Sequence, residues 1–246
     1  MTIALLSDIH SNLEALEACL RHARENGAKR YAFLGDLVGY GADPQAVLDL
    51  IADYSRGGSV VLKGNHDEAV RTPSQYMNDT AAAAIAWTSG VLPDASKAFL
   101  DALPLCVREE AICYVHASAA HPERWEYVDS PAEAVRSMAA ARTLYTFSGH
   151  VHDQALYFQL PTGKTGRVRP LPGTPMPVPA DRRWLALAGS VGQPRDGNPA
   201  AAYALFDLEN ASITFHRIPY DRFKAADKVR AAGLPAILAY RLEEGI

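Results

Sequence analysis

The chain has 246 residues, of which 48% are hydrophobic, and a chain of this length can bury one substantial core. We therefore expect residues 1–246 to form a single domain. A net charge of −4 and a pI near 6.1 give no general attraction for nucleic acid or for an anionic membrane surface, so stable binding to either is not expected.

The sequence shows no sign of secretion or membrane insertion. The first residues, MTIALLSDIH, lack the basic start and long apolar stretch of a secretory signal, and no segment approaches ~18 uninterrupted apolar residues. The three cysteines, Cys19, Cys106 and Cys113, are odd in number and lack C-x-x-C spacing, which argues against a disulfide framework and a thiolate metal site. These features predict a cytoplasmic protein with reduced thiols.

The N-terminal part of the chain predicts a β-α-β-α-β succession. Apolar runs predict three strands, at residues 3–6, 31–34 and 59–62. Ser11-x-x-Glu14 matches a capping box and predicts the start of the first helix, and Asp43 followed by Pro44 predicts the start of the second. Such a succession implies parallel strands joined by right-handed crossovers.

The rest of the chain predicts further helices and a second sheet. Helices are predicted at residues 78–92 and 94–103, after Ser130-Pro131 and, as a pair, over 221–244. Strands are predicted as a hairpin over 105–115 and singly at 143–147, 154–160, 184–188, 203–208 and 212–218. Because no long helices separate the last four, we expect them to pair antiparallel in a second sheet. Residues 161–182 are rich in proline and glycine and predict an irregular excursion.

Five short fragments, each at the end of an apolar run, contain side chains that bind metals. They hold Asp8 and His10, then Asp36, then Asn65 and His66, then His116, and finally His150 and His152. Strand ends collect at one edge of a sheet, and residues two apart in an extended segment point the same way, so we expect these side chains to converge. Imidazole with carboxylate and amide oxygen suits manganese, iron, zinc, nickel or cobalt better than calcium.

These fragments read DIH, GD, GNHD, VH and GHVH in chain order. They resemble the D-x-H, G-D, G-N-H-D/E, H and G-H-x-H blocks of the calcineurin-like metallophosphoesterase superfamily. The segment GSVGQPRDG at residues 189–197 resembles a later loop of its bacterial phosphodiesterase-like branch. The resemblance implies an α/β (α+β mixed) fold, namely a four-layer α-β-β-α sandwich of two mixed β-sheets with the metal site at the strand ends.

The resemblance also implies ligands for two divalent transition-metal ions, with manganese expected and iron, zinc, nickel or cobalt as alternatives. Asp8, His10 and His152 are assigned to the first ion, Asn65, His116 and His150 to the second, and Asp36 to both. Our hypothesis is that a hydroxide bridging the ions attacks phosphorus and that His66 protonates the leaving alkoxide. Three basic side chains are candidates for holding the substrate: Lys63, Arg124 and Arg195.

Several functions are compatible with this resemblance. We expect a dinuclear-metal-dependent phosphodiesterase or phosphatase that acts on a small phosphoester such as a nucleotide. A diadenosine-tetraphosphate hydrolase and a protein serine/threonine phosphatase are alternatives, although Gly39-Tyr40-Gly41 replaces the D-R-G sequence of those protein phosphatases. A non-catalytic scaffold of the retromer-subunit type is disfavoured, because this sequence has the expected residue at every ligand position of the family pattern and has His66 at the catalytic position.

Other notable side chains have ordinary structural interpretations. Asp67 is expected to stabilise a turn rather than to orient a histidine. His22 and His216 are expected to have no chemical role. The tryptophans are expected to fill cores, and among them Trp125 is the best candidate for an aromatic platform under a nucleobase.

Overall fold

The computed structural model describes residues 1–72 and 77–246. Eight α-helices lie within these residues: α1 (Leu13–Glu25), α2 (Pro44–Arg56), α3 (Asn65–Ala69), α4 (Asp79–Val91), α5 (Asp94–Ala102), α6 (Pro131–Ala141), α7 (Arg222–Ala231) and α8 (Ala236–Glu244). Twelve β-strands lie within the same residues: β1 (Thr2–Leu6), β2 (Ala28–Phe33), β3 (Val60–Val61), β4 (Cys106–Glu109), β5 (Ile112–Val115), β6 (Tyr145–Ser148), β7 (Gln154–Gln159), β8 (Thr165–Val168), β9 (Pro175–Pro177), β10 (Arg183–Ala188), β11 (Ala201–Asp207) and β12 (Ser212–Ile218). None of the helices in this part of the chain has both the length and the apolar character needed to cross a membrane.

The strands form two mixed six-stranded sheets. The first sheet has the order β3-β2-β1-β11-β12-β9, and the second has the order β4-β5-β6-β10-β7-β8. In the first sheet β1, β2 and β3 are parallel, as the β-α-β-α-β succession predicts. In the second sheet β5, β6 and β10 are parallel, so each sheet contains a block of three parallel strands.

The two sheets pack face to face around a shared core, with helices on both outer faces. Leu5 and Phe206 from the first sheet pack in the same apolar cluster as Tyr114 and Phe147 from the second. On the outer face of the first sheet, α1 and α2 contribute apolar side chains to a second cluster, and α6 does the same on the outer face of the second sheet. The resulting order of layers is α-β-β-α, which confirms the predicted sandwich.

The assignment of strands to sheets differs from the sequence prediction. Strands β7 and β10 pair antiparallel within the second sheet as expected, but β11 and β12 belong to the first sheet, where β11 pairs antiparallel with β1. The prediction that all four form one sheet is therefore wrong. Apolar alternation indicates that a strand has a buried face, but it carries no information about which neighbour supplies the hydrogen bonds.

The Pro/Gly-rich segment is also more ordered than its composition indicates. Within residues 161–182, β8 pairs with β7 at the edge of the second sheet, and β9 pairs with β12 at the edge of the first. Both strands are short and partly exposed, and proline is tolerated in such edge strands because one side of the strand needs no ladder hydrogen bonds. The predicted irregular excursion therefore contributes an edge strand to each sheet.

The first helix begins one residue later than the capping-box pattern indicates. Asn12 is its N-cap, and the Asn12 Oδ1 accepts a hydrogen bond from the Ala15 N–H at 3.1 Å. The Asn12 side-chain amide also donates to the Gly192 carbonyl at 2.9 Å. The start of α1 is thereby fixed to the loop that follows β10, and Ser11 is left with a left-handed φ of 54°.

Candidate metal centre

The candidate ligands lie in five segments, each after the carboxyl end of a strand from one of the two parallel blocks; Asn65 is the first residue of α3, and the others lie in loops. Asp8 and His10 follow β1, Asp36 follows β2, Asn65 follows β3, His116 follows β5, and His150 and His152 follow β6. The two sheets thus bring side chains from remote parts of the sequence to one place, as expected for a site at strand ends.

The backbone at this place is unusual. Five candidate ligands have left-handed φ angles: Asp8 (53°), His10 (48°), Asp36 (51°), His150 (68°) and His152 (71°). Residues other than glycine rarely adopt a left-handed backbone conformation, and each instance costs about 1–3 kcal/mol, so the surrounding structure must stabilise it. The predicted convergence of Asp8 with His10 and of His150 with His152 is therefore achieved by turned backbone and not by extended segments.

Hydrogen bonds between the loops hold this backbone in place. The Asp8 N–H donates to the Gly35 carbonyl at 3.0 Å, and the His10 N–H donates to the Asp36 carbonyl at 2.9 Å. On the other side, the Gly192 N–H donates to the Asp8 carbonyl at 2.9 Å. The β1 loop is therefore fixed between the loops that follow β2 and β10.

One half of the centre consists of Asp8, His10 and His152, whose ligand atoms lie close together. The Nε2 atoms of His10 and His152 are 3.2 Å apart, and the His152 Nε2 lies 3.4 Å from the Asp8 Oδ1. All three side chains are buried.

The other half consists of Asn65, His116 and His150 beside Asp36. The His116 Nε2 lies 3.3 Å from the Asn65 Oδ1 and 3.5 Å from the Asp36 Oδ2. The same Asp36 Oδ2 lies 3.8 Å from the His10 Nε2 of the first half. One carboxylate oxygen therefore stands between the two halves of the centre.

Backbone carbonyls fix the orientation of three of these imidazoles. The Nδ1 atoms of His10, His116 and His152 lie 3.2, 2.8 and 2.6 Å from the carbonyl oxygens of Val38, Leu34 and Gln193, respectively. A carbonyl oxygen can only accept, so each Nδ1 carries the proton. In the neutral imidazole the Nε2 then presents a lone pair, which is how metal-binding histidines are commonly oriented.

Each of the two carboxylates, Asp8 and Asp36, has one oxygen bound to a backbone N–H and the other near the histidines of the centre. The Asp8 Oδ2 accepts a hydrogen bond from the His150 N–H at 2.9 Å, and the Asp36 Oδ1 accepts one from the His66 N–H at 2.8 Å. Among the described residues, the buried Asp8 Oδ1 and His150 Nε2 have no hydrogen-bond partner. Clustered acceptors of this kind repel one another, and divalent cations would satisfy them.

The pKa values at the centre are strongly perturbed. Burial lowers the pKa of His10 and His152 well below the ordinary value and lowers that of His150 to about 3, so these three imidazoles are neutral near pH 7. Although burial lowers the pKa of His116, the carboxylates of Asp36 and Asp8 raise it to about 9. Three of the imidazoles are therefore already in the protonation state in which histidine binds metals.

His66 also lies at the centre. Its ring contacts the rings of Tyr40 and His10, with centroids 4.5 and 4.9 Å away, and burial lowers its pKa. One of its ring nitrogens lies within 4.8 Å of potential ligand atoms of His10 and Asp36. The geometry alone therefore allows His66 to act either as a metal ligand or as an acid–base group. The neighbouring Asp67 lies in α3 rather than in a turn: it accepts the N–H of Gly64, the N-cap of that helix, and the N–H groups of Leu37 and Val38 in the loop after β2.

The three predicted substrate-binding residues differ in where they lie. Arg195 hydrogen-bonds to the Gln193 side chain and lies over the Tyr40 ring at 5.6 Å, and its charge contributes to the lowered pKa of His10 and His152. Arg124 lines a cavity together with Asn65 and His150. The Lys63 ammonium instead donates to the Asp101 carbonyl in α5 at 2.9 Å. The structure thus places Arg195 beside the centre, Arg124 in the wall of the adjoining cavity and Lys63 against α5.

Tyr40 is a residue of the centre that the sequence analysis missed. It is buried and has a left-handed φ of 63°, and its ring lies 4.6 Å from that of His10 as well as next to His66. An available signal was its place between two glycines, four residues after Asp36, where a buried aromatic would adjoin any ligand of that loop.

The family model of the calcineurin-like phosphoesterase superfamily domain matches residues 1–211. The chain belongs to this superfamily. An uncharacterised protein from Methanocaldococcus jannaschii is 37% identical over an alignment that covers 98% of this chain and 96% of that protein. This identity extends through the C-terminal helices that the family model does not reach.

Solved structures agree with this membership. The crystal structure of a metallophosphoesterase from Sphaerobacter thermophilus is similar, with a TM-score of 0.88 and 33% identity over 100% of this chain and 99% of that one. A hypothetical protein from Pyrococcus horikoshii has a TM-score of 0.80 at 20% identity, over 100% of this chain and 98% of its own. At the lower identity the likeness concerns the fold alone.

Gly149 should be essential for assembling the centre. A Cβ at this position would overlap the Ser7 Oγ and lie 2.6 Å from the Asp8 Oδ2, which already accepts the His150 N–H. We expect Gly149→Ala to reduce the content of bound divalent metal by about tenfold and to destabilise the fold by about 1–3 kcal/mol. Metal analysis and urea unfolding measure both. Gly90→Ala is the matched control, since a Cβ at this position in α4 meets nothing within 4 Å. Equal metal content in the wild type, Gly149→Ala and Gly90→Ala would contradict the role of Gly149 in assembling the centre.

The metal-free protein should lose stability as the pH falls below about 6.5. Burial lowers the folded-state pKa of five histidines: His10, His66, His150, His152 and His216. Each then takes up a proton on unfolding and costs up to ~1.4 kcal/mol per pH unit. Burial raises the pKa of Asp8 to about 6 and of Asp67 to about 7, and, despite burial, the carboxylates of Asp36 and Asp8 raise that of His116 to about 9; these three groups oppose the effect, but the five histidines outnumber them. The urea midpoint of chelator-treated protein should therefore fall between neutral pH and about pH 5, and a constant or rising midpoint would show that the histidines are not buried as described.

Proposed function

We propose that this protein hydrolyses a small phosphoester with the help of two divalent transition-metal ions bound at the candidate centre. The observation that supports this best is the convergence of buried acceptors on one another. The Nε2 atoms of His10 and His152 lie 3.2 Å apart, and both Nδ1 atoms are held by backbone carbonyls, so two lone pairs face each other in the neutral state. Membership of a superfamily of phosphoesterases supports the reaction class.

We assign the ligands as two sets that share one carboxylate. Asp8, His10 and His152 would hold one ion, Asn65, His116 and His150 the other, and Asp36 both. The intermediate position of the Asp36 Oδ2, 3.8 Å from the His10 Nε2 and 3.5 Å from the His116 Nε2, supports its shared role. Nitrogen ligands mixed with carboxylate and amide oxygens suit manganese, iron, zinc, nickel or cobalt, and we favour manganese.

When bound, such a pair of ions would activate a water molecule for attack on phosphorus and neutralise the phosphoryl oxygens. Two divalent ions also carry more charge than the two aspartates, so the centre would attract an anion although the whole chain has a net charge of −4. This local charge makes a small anionic phosphoester the substrate class that we propose.

Arg195 is the side chain that we propose to hold the phosphate. Its guanidinium stacks on Tyr40, hydrogen-bonds to Gln193 at 3.0 Å, and acts electrostatically on His10, His66 and His152. An arginine fixed in this way can offer its remaining N–H groups to phosphate oxygens as a fork. Arg124, at the edge of the neighbouring cavity, is a second candidate for this role.

His66 is the group that we propose to protonate the leaving oxygen. The bond from its backbone N–H to Asp36 and the packing of Tyr40 fix its position. Among the described residues its buried Nδ1 has no hydrogen-bond partner, so no protein group fixes which ring nitrogen carries the proton. Because burial lowers the pKa of His66, the negative charge of a bound phosphoester must raise it again for this role.

His66→Gln tests this assignment through its dependence on the leaving group. We expect kcat for an alkyl phosphoester to fall about 10²–10⁴-fold, because an alkoxide needs a proton, and kcat for a nitrophenyl ester to fall far less. Metal content should be unchanged. His216→Gln is the control, because His216 lies in β12, which carries none of the proposed ligands.

The possible outcomes separate the competing roles. Loss of metal in His66→Gln would make His66 a ligand, and equal losses for both leaving groups would exclude proton donation. If the wild-type protein binds manganese but hydrolyses no monoester, diester or dinucleoside polyphosphate, the non-catalytic scaffold is favoured. Selective turnover of diadenosine tetraphosphate or of a phosphoprotein would favour the corresponding alternative enzyme.

A further inference from the structure

A cavity of about 220 Å³ adjoins the half of the centre that contains Asn65 and His150. These two candidate ligands form part of its wall, and the rest includes Glu68, Arg124, Trp125 and Tyr127. Any phosphoester whose phosphorus lies at the proposed ions would therefore have space for one of its organic substituents in this cavity. The following inference rests on the proposed function, because it concerns the substrate of that same site.

Tyr127 gives the cavity an exposed aromatic surface. Its ring stacks on that of His150, with centroids 4.2 Å apart and planes inclined by 21°, while 55% of the residue remains exposed. Stacking on a buried histidine fixes the plane of the ring. An aromatic side chain that is held in this way and still faces solvent is suited to stack on a planar ligand.

Trp125 and Glu68 form a rigid polar part of the same wall. Trp125 has a left-handed φ of 55° at the end of a 3-10 turn (Pro122–Arg124), and its Nε1 donates to the Glu68 Oε2 at 3.2 Å. Its ring also meets that of His116 edge to face at 5.9 Å. The bond uses one oxygen of the Glu68 carboxylate, and the other can accept a hydrogen bond from an N–H group of a ligand.

The charge and size of the cavity restrict what it can hold. Glu68 and Arg124 bring one negative and one positive charge, so the cavity does not favour a further phosphate as the centre itself would. Its volume of about 220 Å³ is below the roughly 300–1,000 Å³ of sites that enclose a drug-sized ligand. One ring system with hydrogen-bond donors fits these conditions better than a second nucleotide.

We propose that this cavity is a subsite for the heteroaromatic base of a nucleoside phosphate, in which Tyr127 stacks on the base and Glu68 accepts a hydrogen bond from one of its N–H groups. The substrate class is then a mononucleotide, as a monoester or a diester, and not a sugar phosphate, a phosphoprotein or a dinucleoside polyphosphate. Tyr127 acts as a specificity residue, since it touches the base and not the reacting phosphorus.

The test compares two competitive inhibitors that share a ribose phosphate, of which only one carries a base. With manganese-loaded protein and bis(p-nitrophenyl) phosphate as substrate, adenosine 5′-monophosphate should inhibit at a concentration at least about tenfold lower than ribose 5-phosphate does, given the usual strength of base stacking. Tyr127→Ala should reduce the ratio of the two inhibitory concentrations to about one, whereas Tyr127→Phe should keep this ratio. Tyr240→Ala is the matched control, an exposed tyrosine in α8 that should leave the ratio unchanged.

The outcomes distinguish this proposal from the function on which it rests. If the wild-type protein hydrolyses bis(p-nitrophenyl) phosphate but the two inhibitors bind equally, the base subsite is overturned and the phosphoesterase stands. A ratio that survives in Tyr127→Ala likewise overturns the role of Tyr127. If the manganese-loaded protein hydrolyses no phosphoester at all, the proposed function fails and the subsite fails with it.

Discussion

The structure depends on one electrostatic constraint: buried acceptor atoms from two sheets are held so close that they repel one another. The His10 and His152 Nε2 atoms are 3.2 Å apart, and the His152 Nε2 is 3.4 Å from a carboxylate oxygen of Asp8. In a region without water such repulsion is costly unless positive charge lies between the atoms. The centre is therefore unfavourable as bare protein and favourable as a site for cations. Its left-handed backbone and its pKa values, which burial displaces, are typical of a functional site.

The sandwich supplies the stiffness that this arrangement requires. Three parallel strands from each sheet end at the same place, and the aromatic core between the sheets fixes one set of loops relative to the other. Hydrogen bonds between the loops, such as that from the His10 N–H to the Asp36 carbonyl, then stabilise left-handed backbone conformations that isolated loops would not adopt. Carbonyls of Val38, Leu34 and Gln193 orient the imidazoles. The fold therefore fixes the orientation of these side chains as well as their distance from one another.

Much of this could be predicted from the sequence, and the exceptions have physical reasons. The parallel strands β1 to β3 and the convergence of the candidate ligands follow from local pattern, because apolar runs and the residues that end them are adjacent in the chain. The placement of β11 beside β1, the edge strands β8 and β9, and the shift of the first N-cap from Ser11 to Asn12 depend on distant partners. The contact of Tyr127 with His150 was missed for the same reason, since nothing in the sequence indicates that a tyrosine contacts a histidine remote in the chain, whereas the glycines that flank Tyr40 gave a local sign of its place.

The most direct test of the proposed centre is the location of metal in a crystal of the protein grown with manganese, measured by anomalous scattering. We expect two peaks a few ångströms apart, one among Asp8, His10 and His152 and the other among Asn65, His116 and His150, with Asp36 in contact with both. A single peak in one half would reduce the proposed centre to one ion. Peaks elsewhere, or no peak at saturating manganese, would contradict the claim that these acceptors exist to hold cations.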